Sequence, residues 1–596
     1  MSGNQEEQPL LQTSTSRNTD NSHSLHPAVL RDASSGGAGF IAGELAAEEE
    51  SLHLPEHDNY GSVGLPGSKK DDNNKSSDSD YALPRAKLLT VVSSLFMAAY
   101  LAALDTTVVT TLLTVIASDL NAVANISWIA TAYLLSCSAF QPLFGKLSDI
   151  FGRKILLILC CAFFAIGCTI CITDSLVWLV IGRFVTGWGG SGLTTLGTIT
   201  MSDLIPLRDR GLYQGMANIF FGLGAASGGI LGGLVADYLG WKYVFILQVP
   251  LAVVVGVVIW WNLVLPEGSP GLGAHGSEFK DKLKRVDFQG SFFLVSALMV
   301  ILTAASLGGR EIAYDSKTFI GLVVLSIILL AGFVYTEAYV SNEPIIPIEL
   351  LAERTILSSS LTNWFYTMGV FTYLYYVPIY YTSVMGFTAT QNGQRLIPNF
   401  FGVSIGSVGA GLYMKRTGRY YNLTILVGII SIFGVWRIFN MTPYITIFDQ
   451  FTILLPSGLG YSCILTVTLL SLIAAVPSKY QACTTSIQYT FRATGSTLGV
   501  SIASAIFQNV LKSQLTTKIH LLISDDWSYA EKIINKALEN TNYTNHAPKL
   551  VQGAIKESYA LACKGAFGFS LATIVLGYAC SLFMKEHQLH TSMNRD

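Results

Sequence analysis

Three charged residues lie within long apolar stretches of the chain: Asp105, Arg183 and Arg492. An aspartate at the centre of a membrane helix costs about 2.5–3.5 kcal/mol on insertion scales, so such a residue is expected to face a cavity and to be functional. A carboxyl group in apolar surroundings can bind and release protons. We therefore predict that Asp105 faces a cavity, carries protons and, when ionised, attracts a cation. The alternative is a structural role, in which Asp105 pairs with a nearby Ser, Thr or Arg.

The two arginines need a partner or a polar cavity for the same reason. Arg183 lies only a few residues into its apolar stretch, so snorkelling toward the membrane interface is the alternative for it. Arg492 lies deeper in its stretch than Arg437, the other arginine considered in the second half. Glu337 lies near the end of a stretch, where an interfacial role is expected.

The segments that must position these residues are apolar and about 20 residues long, which is the length of a bilayer-spanning helix. The chain is 51% hydrophobic and only 13% charged, against about 25% charged in soluble domains. Barrel strands are short and alternate in polarity, so they do not fit. The sequence predicts an all-α polytopic membrane protein with about fourteen spans, at 88–117, 125–147, 155–173, 176–203, 211–236, 242–265, 288–308, 318–340, 355–383, 393–414, 422–440, 447–476, 482–511 and 564–584.

Loop charges give the spans a direction. The short loops on the N-terminal side hold fourteen basic residues, whereas those on the opposite side hold four. By the positive-inside rule both termini are expected in the cytosol. The long polar loop 512–563 then lies on the other side, where it is expected to form a small amphipathic cap. Its Asn542-Tyr543-Thr544 is a glycosylation sequon, which makes Asn542 the predicted acceptor.

The polar tail at 1–87 is expected to be disordered, because it lacks apolar periodicity. Glu6 followed by Leu10 and Leu11 fits the acidic dileucine pattern that adaptor coats read when they sort proteins to vacuoles and lysosomes. A chance match in an acidic tail is the alternative. No basic stripe with interleaved aromatic residues indicates a nucleic-acid partner.

A short polar sequence, Gly-Lys-Leu-Ser-Asp-Ile-Phe-Gly-Arg-Lys at 145–154, lies between the second and third spans and is called the signature loop below. Gly145 and Gly152 allow helices to approach closely, and Asp149 can pair with Arg153 or cap a helix end. These polar contacts, together with Lys154, are expected to stabilise one of the two conformations of a carrier. An ordinary charged loop is the alternative interpretation.

Two further patterns concern packing. Gly224, Gly228 and Gly232 recur every four residues and form a smooth stripe that permits close contact with another helix. The ninth span is rich in aromatic residues, which either line a cation-binding cavity through their π faces or belong to the core and the lipid-facing surface.

The signature loop resembles that of the major facilitator superfamily. The sequence Leu-Asp-Thr-Thr-Val-Val at 104–109 resembles the first-span motif of its fourteen-span drug:proton antiporter branch, and Gly-Arg-Phe-Val-Thr-Gly at 182–187 resembles the fourth-span arginine motif. The glycine stripe at 224–233 resembles the fifth-span antiporter motif, and a degenerate signature loop recurs at 411–419. Within that branch, residues 126–133 and 140–145 are most similar to fungal vacuolar basic amino acid transporters.

The resemblance, over about 88–584, implies two six-helix halves, at 88–265 and 341–584, which alternate access to a substrate site between them. Residues 266–340 would be a cytosolic linker and two inserted helices, and 585–596 a second cytosolic tail. The resemblance also implies that Arg183 assists proton transfer and that Arg492 is a further candidate for coupling. No phosphate-binding GxxxxGK[ST] motif is present, so an ion gradient is the expected energy source.

The implied function is proton-coupled antiport of basic amino acids, a small cationic substrate, from the cytosol into the vacuole. The alternatives are a multidrug:proton exporter of the plasma membrane and a non-transporting nutrient receptor on a transporter scaffold. We expect no enzyme activity, no cofactor and no metal site, because the histidines are concentrated in the tails and the long loop.

Overall fold

The computed structural model describes residues 84–120, 126–265, 269–274, 278–308, 312–341, 343–387, 389–523, 527–539 and 543–589. The predicted sorting signal at Glu6, Leu10 and Leu11 and the predicted glycosylation site at Asn542 lie outside these residues.

The described residues form fourteen long α-helices, which confirms the predicted all-helical membrane fold. In chain order they are α1 Arg85–Asp119, α2 Ile126–Phe151, α3 Arg153–Ile170, α4 Leu176–Leu204, α5 Leu207–Leu239, α6 Lys242–Asn262, α7 Phe288–Leu307, α8 Lys317–Tyr339, α9 Arg354–Ser383, α10 Ala389–Thr417, α11 Tyr421–Phe439, α12 Leu455–Ala475, α13 Gln481–Leu522 and α14 Lys549–Ser581.

The polar region at 512–563 is more helical than its composition indicates. Helix α13 continues to Leu522, and α14 begins at Lys549. At about 1.5 Å per residue, the 42 residues of α13 exceed the ~30 Å hydrocarbon core, so this helix projects beyond the bilayer. The amphipathic helix Trp527–Glu539 packs on α13, and the hydroxyl of Tyr559 in α14 donates a hydrogen bond to its Ala537 carbonyl at 2.6 Å.

Ten segments of the described chain are long and apolar enough to span a bilayer on composition alone. Helices α2, α4, α9 and α13 fall outside that set because they carry many polar residues on faces that other helices cover. In α4, for example, Thr195, Thr198 and Thr200 are all buried. Polar side chains of this kind are tolerated where a helix faces the bundle interior.

Two separate hydrophobic cores correspond to α1–α6 and to α9–α14. Between the two halves, α2 packs on α13, and α5 packs on α10. Helix α7 packs on both α2 and α13, and α8 packs on α7. The inserted pair therefore lies against the junction of the halves, where Leu294 and Phe333 share a small core with Ile487 of α13.

The halves meet closely on the signature face, which is the side of the bundle that carries the signature loop. A methyl group placed on Gly411 of α10 would lie 2.5 Å from the carbonyl group of Gly211 at the start of α5. One placed on Gly145 of α2 would lie 2.6 Å from the Ala482 carbonyl oxygen of α13. Backbone contacts this close leave no passage between these helices, so the structure is closed on the signature face.

Candidate functional site

A buried ion pair joins the first and fourth helices. The Arg183 guanidinium nitrogen Nη1 donates to Asp105 Oδ2 at 2.6 Å, and the two side chains are 1% and 0% exposed. Each of the two buried charges therefore has the other as its counter-charge, which buried charges need. The snorkelling alternative for Arg183 is therefore wrong, because its charged end turns into the bundle.

The surroundings of the pair come from α2. The Tyr133 ring lies 4.4 Å from the guanidinium carbon of Arg183, and its hydroxyl donates to the Ala102 carbonyl at 3.2 Å. Arg183 Nε donates to the Ile129 carbonyl at 3.4 Å. The second carboxyl oxygen of Asp105, Oδ1, is buried beside the Gln248 side chain of α6 and accepts no hydrogen bond of good geometry among the described residues. Such an oxygen is a ready acceptor for a proton.

Asp105 does not face a cavity in this conformation. Its side chain is enclosed by Arg183, and the structure places it away from the residues that line the space between the halves. The prediction of a cavity-facing carboxylate is therefore wrong here. The physical reason is that the buried Arg183 guanidinium supplies the counter-charge that an aspartate inside the bundle needs, so no water-filled cavity is required around it.

The signature loop folds into a network centred on Arg153. Its guanidinium contacts Asp149 Oδ1 at 2.7 Å, as predicted, and donates from Nε to Asp203 Oδ2 at 3.0 Å. It also contacts the Ser148 hydroxyl. Gly152 adopts φ 96°, a left-handed conformation that favours glycine. Lys154 lies 5.7 Å from the centre of the Trp260 ring.

A second contact ties this loop to the inserted pair. Lys146 Nζ donates to Glu343 Oε2 at 2.9 Å, and Arg285 Nε donates to Glu343 Oε1 at 2.7 Å. Glu343 follows α8, and Arg285 precedes α7. Nearby, Glu337 is buried and accepts a hydrogen bond from the Ile345 backbone at 3.0 Å. It therefore orders the segment that presents Glu343.

The glycine stripe packs on α1. A methyl group on Gly228 would lie 3.0 Å from the Leu104 carbonyl oxygen, and one on Gly232 would lie 3.2 Å from Val108. Gly224 meets Tyr100 and Ala103 in the same way. Because Leu104 and Val108 flank Asp105, this close contact fixes the segment of α1 that holds the ion pair.

Between the halves lies a cavity of about 180 Å³. Its polar lining comes from both halves and consists of Gln141, Thr194, Thr198, Gln214, Asn218, Tyr489, Arg492 and Ser496. The Thr198 and Tyr489 hydroxyl oxygens are 2.7 Å apart, which links α4 to α13 across the cavity. Arg492 is the one charged residue among the described residues that line it.

Four tyrosines of α9 lie in the core of the second half and not on the cavity, where π-face binding of a cation would require them. Tyr366, Tyr373, Tyr376 and Tyr381 are fully buried in the core of the second half. Phe371 lines the cavity. The core alternative is thus confirmed for these four tyrosines.

Sequence reasoning did not identify several residues of these sites. Asp203 and Glu343 lie 50 and 197 positions from the residues they bind, so no local pattern reveals the contact. Gln141 lies in a segment that resembles a family motif, but nothing in the apolar pattern shows that its side chain reaches the cavity. Gln214, Asn218 and Tyr489 are likewise placed there by tertiary packing alone.

Known proteins match this arrangement over most of the chain. The chain is 35% identical to the multidrug resistance protein fnx1 of Schizosaccharomyces pombe, covering 85% of this chain and 94% of the relative. It is 34% identical to that organism's vacuolar membrane amino acid uptake transporter fnx2, covering 84% of each. It is 29% identical to the vacuolar basic amino acid transporter 1 of Saccharomyces cerevisiae, covering 85% of this chain and 93% of the relative.

The sequence profile of the Major Facilitator Superfamily matches residues 95–500. That range includes the buried ion pair, the signature loop, the inserted pair and every cavity residue named above. Two six-helix halves around a central cavity, together with this match, show that the chain belongs to the Major Facilitator Superfamily of membrane transporters.

Proposed function

We propose that the protein is a proton-coupled antiporter that moves basic amino acids from the cytosol into the vacuole by alternating access. The observation that carries the proposal is the buried Asp105–Arg183 pair, in which Asp105 Oδ1 accepts no hydrogen bond of good geometry and only the Gln248 side chain lies beside it. A carrier driven by protons needs one group whose protonation changes the balance between two conformations. Asp105 has the chemistry and the position for that task.

Protonation of Asp105 alters the energy of the closed conformation through its partner. The ionised carboxylate neutralises Arg183 at 2.6 Å. Once a proton binds Oδ1, Arg183 loses its counter-ion while it stays buried, and an unpaired buried charge costs about 3–5 kcal/mol. Movement of α1 relative to α4 relieves that cost by letting Arg183 reach water or another partner. Proton binding thereby drives the change of access.

The substrate class and the vacuolar location in this proposal are inferred from the names of the relatives. One is named as a vacuolar basic amino acid transporter and another as a vacuolar amino acid uptake transporter. The excess of basic residues in the N-terminal-side loops supports cytosolic termini. In that orientation the signature face is cytosolic, so the structure corresponds to the state closed toward the cytosol.

Replacement of Asp105 by Asn tests the proposal. We expect Asp105→Asn to abolish amino acid uptake driven by a pH gradient in isolated vacuolar vesicles, with normal amounts of protein in that membrane. Asp174→Asn is the matched control, because Asp174 lies on the exposed side of the bundle, where it contacts Lys242. Full uptake by Asp105→Asn would contradict the coupling role.

A second candidate is a multidrug exporter of the plasma membrane, which the relative named as a multidrug resistance protein favours. The membrane in which the protein resides distinguishes the exporter from the vacuolar antiporter. If the vacuolar proposal is correct and the tail is the address, tagged protein reaches the vacuole, and replacing Leu10 and Leu11 by Ala misroutes it. Tagged wild-type protein at the cell surface would instead favour the exporter.

A further inference from the structure

The charge of the central cavity is opposite to that expected for a site that selects a cation. Arg492 is positive, and no acidic residue is among the described residues that line the cavity. Its guanidinium lies 5.9 Å from the Phe221 ring, and no carboxylate pairs with it in the described part of the chain. By contrast, Arg183 is paired and Arg437 contacts Asp449 at 2.8 Å.

An arginine left without a counter-ion inside a membrane protein is costly unless something else satisfies it. Guanidinium groups bind carboxylates through two parallel hydrogen bonds, which are stronger than neutral ones. Gln214, Asn218 and Tyr489 lie around Arg492 and supply only neutral groups. The positive charge of Arg492 is therefore balanced only when a ligand brings an anionic group into the cavity.

Arg492 lines both the central cavity and a small pocket that shares Gln214, Asn218 and Tyr489 with it, and each of these two spaces also offers a buried acceptor. Gln141 Oε1 and Asn363 Oδ1 are buried and have no hydrogen-bond partner among the described residues. The Asn363 amide nitrogen donates to the Gln488 carbonyl at 3.1 Å, which leaves its oxygen as the free end. Gln141 comes from the first half and Asn363 from the second, and each lines space that Arg492 also lines. Buried acceptors of this kind suit a ligand that carries N–H donors.

We propose that Arg492 binds the carboxylate of the substrate and that Gln141 and Asn363 accept hydrogen bonds from its ammonium group. The site thus recognises the zwitterionic head of an amino acid, and it does so with groups from both halves. This deepens the proposed function by naming which part of the substrate is bound. No carboxylate among the described residues of the cavity can pair with a basic side chain of the substrate. That side chain therefore contributes less to the binding affinity than the head group does.

Ligand binding to the purified full-length protein tests the assignment. The ligands are lysine, norleucine, which keeps the head group without the side-chain charge, and 1,5-diaminopentane, which keeps two amines without the carboxylate. Hexanoate, which keeps the carboxylate without an amine, completes the series. Affinities are measured from the ligand-dependent rise in the midpoint of thermal unfolding.

We expect lysine to bind about 10- to 100-fold more tightly than 1,5-diaminopentane, the range that one charge-assisted hydrogen-bonded contact provides. Norleucine should bind within about threefold of lysine, since the head group dominates. Equal affinity for lysine and the diamine, or no binding of any ligand with a carboxylate, would overturn the role of Arg492. Hexanoate binding as tightly as norleucine would overturn the ammonium contacts.

Substitutions test whether Arg492 produces the preference for ligands with a carboxylate. Arg492→Gln should lose the preference for carboxylates, Arg492→Lys should keep part of it, and Arg437→Gln is the matched control, because Arg437 lies outside the cavity. A preference unchanged in Arg492→Gln would refute the assignment, and the ligand series on wild-type protein decides the matter if this variant does not fold. Uptake driven by a pH gradient is measured in parallel. Head-group binding without such uptake would refute proton coupling but support this site.

Discussion

At the scale of single residues, charged residues of the bundle interior differ in whether they have a counter-charge. Asp105 and Arg183 satisfy each other at 2.6 Å and are closed to solvent. Arg492 has no such partner and lines the central cavity. Because a buried charge needs a counter-charge, the paired residues suit proton coupling and Arg492 suits ligand binding.

Glu343 provides a pH-dependent contact on the signature face. Burial by itself raises the pKa of this carboxyl group, but the hydrogen bonds from Arg285 and Lys146 outweigh burial and lower the pKa below its ordinary value of 4.5. A group with a depressed pKa in the folded state stabilises that state fully above the unfolded value. The stabilisation is lost as the pH falls through the folded-state pKa.

We therefore predict that Glu343→Gln lowers the thermal unfolding midpoint at pH 7 and that the difference from wild type disappears at acidic pH. The contact is partly exposed, so the effect should be small and should weaken at high salt. Unfolding is followed in detergent across the pH range. Glu349→Gln is the control, because Glu349 and Glu343 line the same cavity on the signature face. A difference independent of pH would contradict the assignment.

At the scale of helices, the contact between α5 and α1 depends on the glycine stripe. A methyl group on Gly228 meets the Thr107 hydroxyl and the Leu104 carbonyl, whereas one on Gly233 of the same helix meets nothing within 4 Å. The contact surrounds Asp105, so its geometry also sets the position of the ion pair.

Gly228→Ala is predicted to destabilise the protein by about 1–3 kcal/mol, the usual cost of overpacking, and to slow pH-driven uptake. Gly233→Ala, made on the same helix, should change neither. Thermal unfolding in detergent and uptake by reconstituted vesicles measure the two effects. Similar behaviour of the two variants would show that glycine content, and not the contact with α1, matters.

At the scale of the whole molecule, closure of the signature face rests on contacts between the halves. Besides the approach of Gly211 to Gly411, Arg208 Nε donates to the Lys415 carbonyl at 2.5 Å. Lys415 Nζ lies 3.4 Å from Asp209 Oδ1. These contacts join the start of α5 to the end of α10, and they must all separate when the face opens.

Gly411→Val is predicted to shift the population toward the state that is open on the signature face, because its side chain cannot fit against the Gly211 backbone. Spin labels on the two halves, in an otherwise cysteine-free protein, report the distance between α5 and α10. Gly409→Val is the control, since a methyl group there meets nothing within 4 Å. An unchanged distance distribution in Gly411→Val would refute the role of this contact.

The sequence by itself determined the class of fold, because apolar segments of bilayer length have few alternatives to helices. It also indicated the Asp149–Arg153 contact, because the two residues are only four positions apart across the turn at Gly152, and the stripe of Gly224, Gly228 and Gly232, whose spacing repeats on one helix face. Asp105 and Arg183 were identified as costly charges by the same means, since composition alone makes them exceptions.

Only the tertiary structure decided how those charges are used. Asp105 and Arg183 are 78 positions apart, and their pairing depends on how α1 and α4 pack, which no local pattern encodes. The same packing places Asp105 away from the cavity and leaves Arg492 beside the amide groups of Gln141 in the cavity and of Asn363 in the small pocket next to it. The charge that meets the substrate is therefore a property of the assembled halves, because it depends on which buried group finds a partner and which does not.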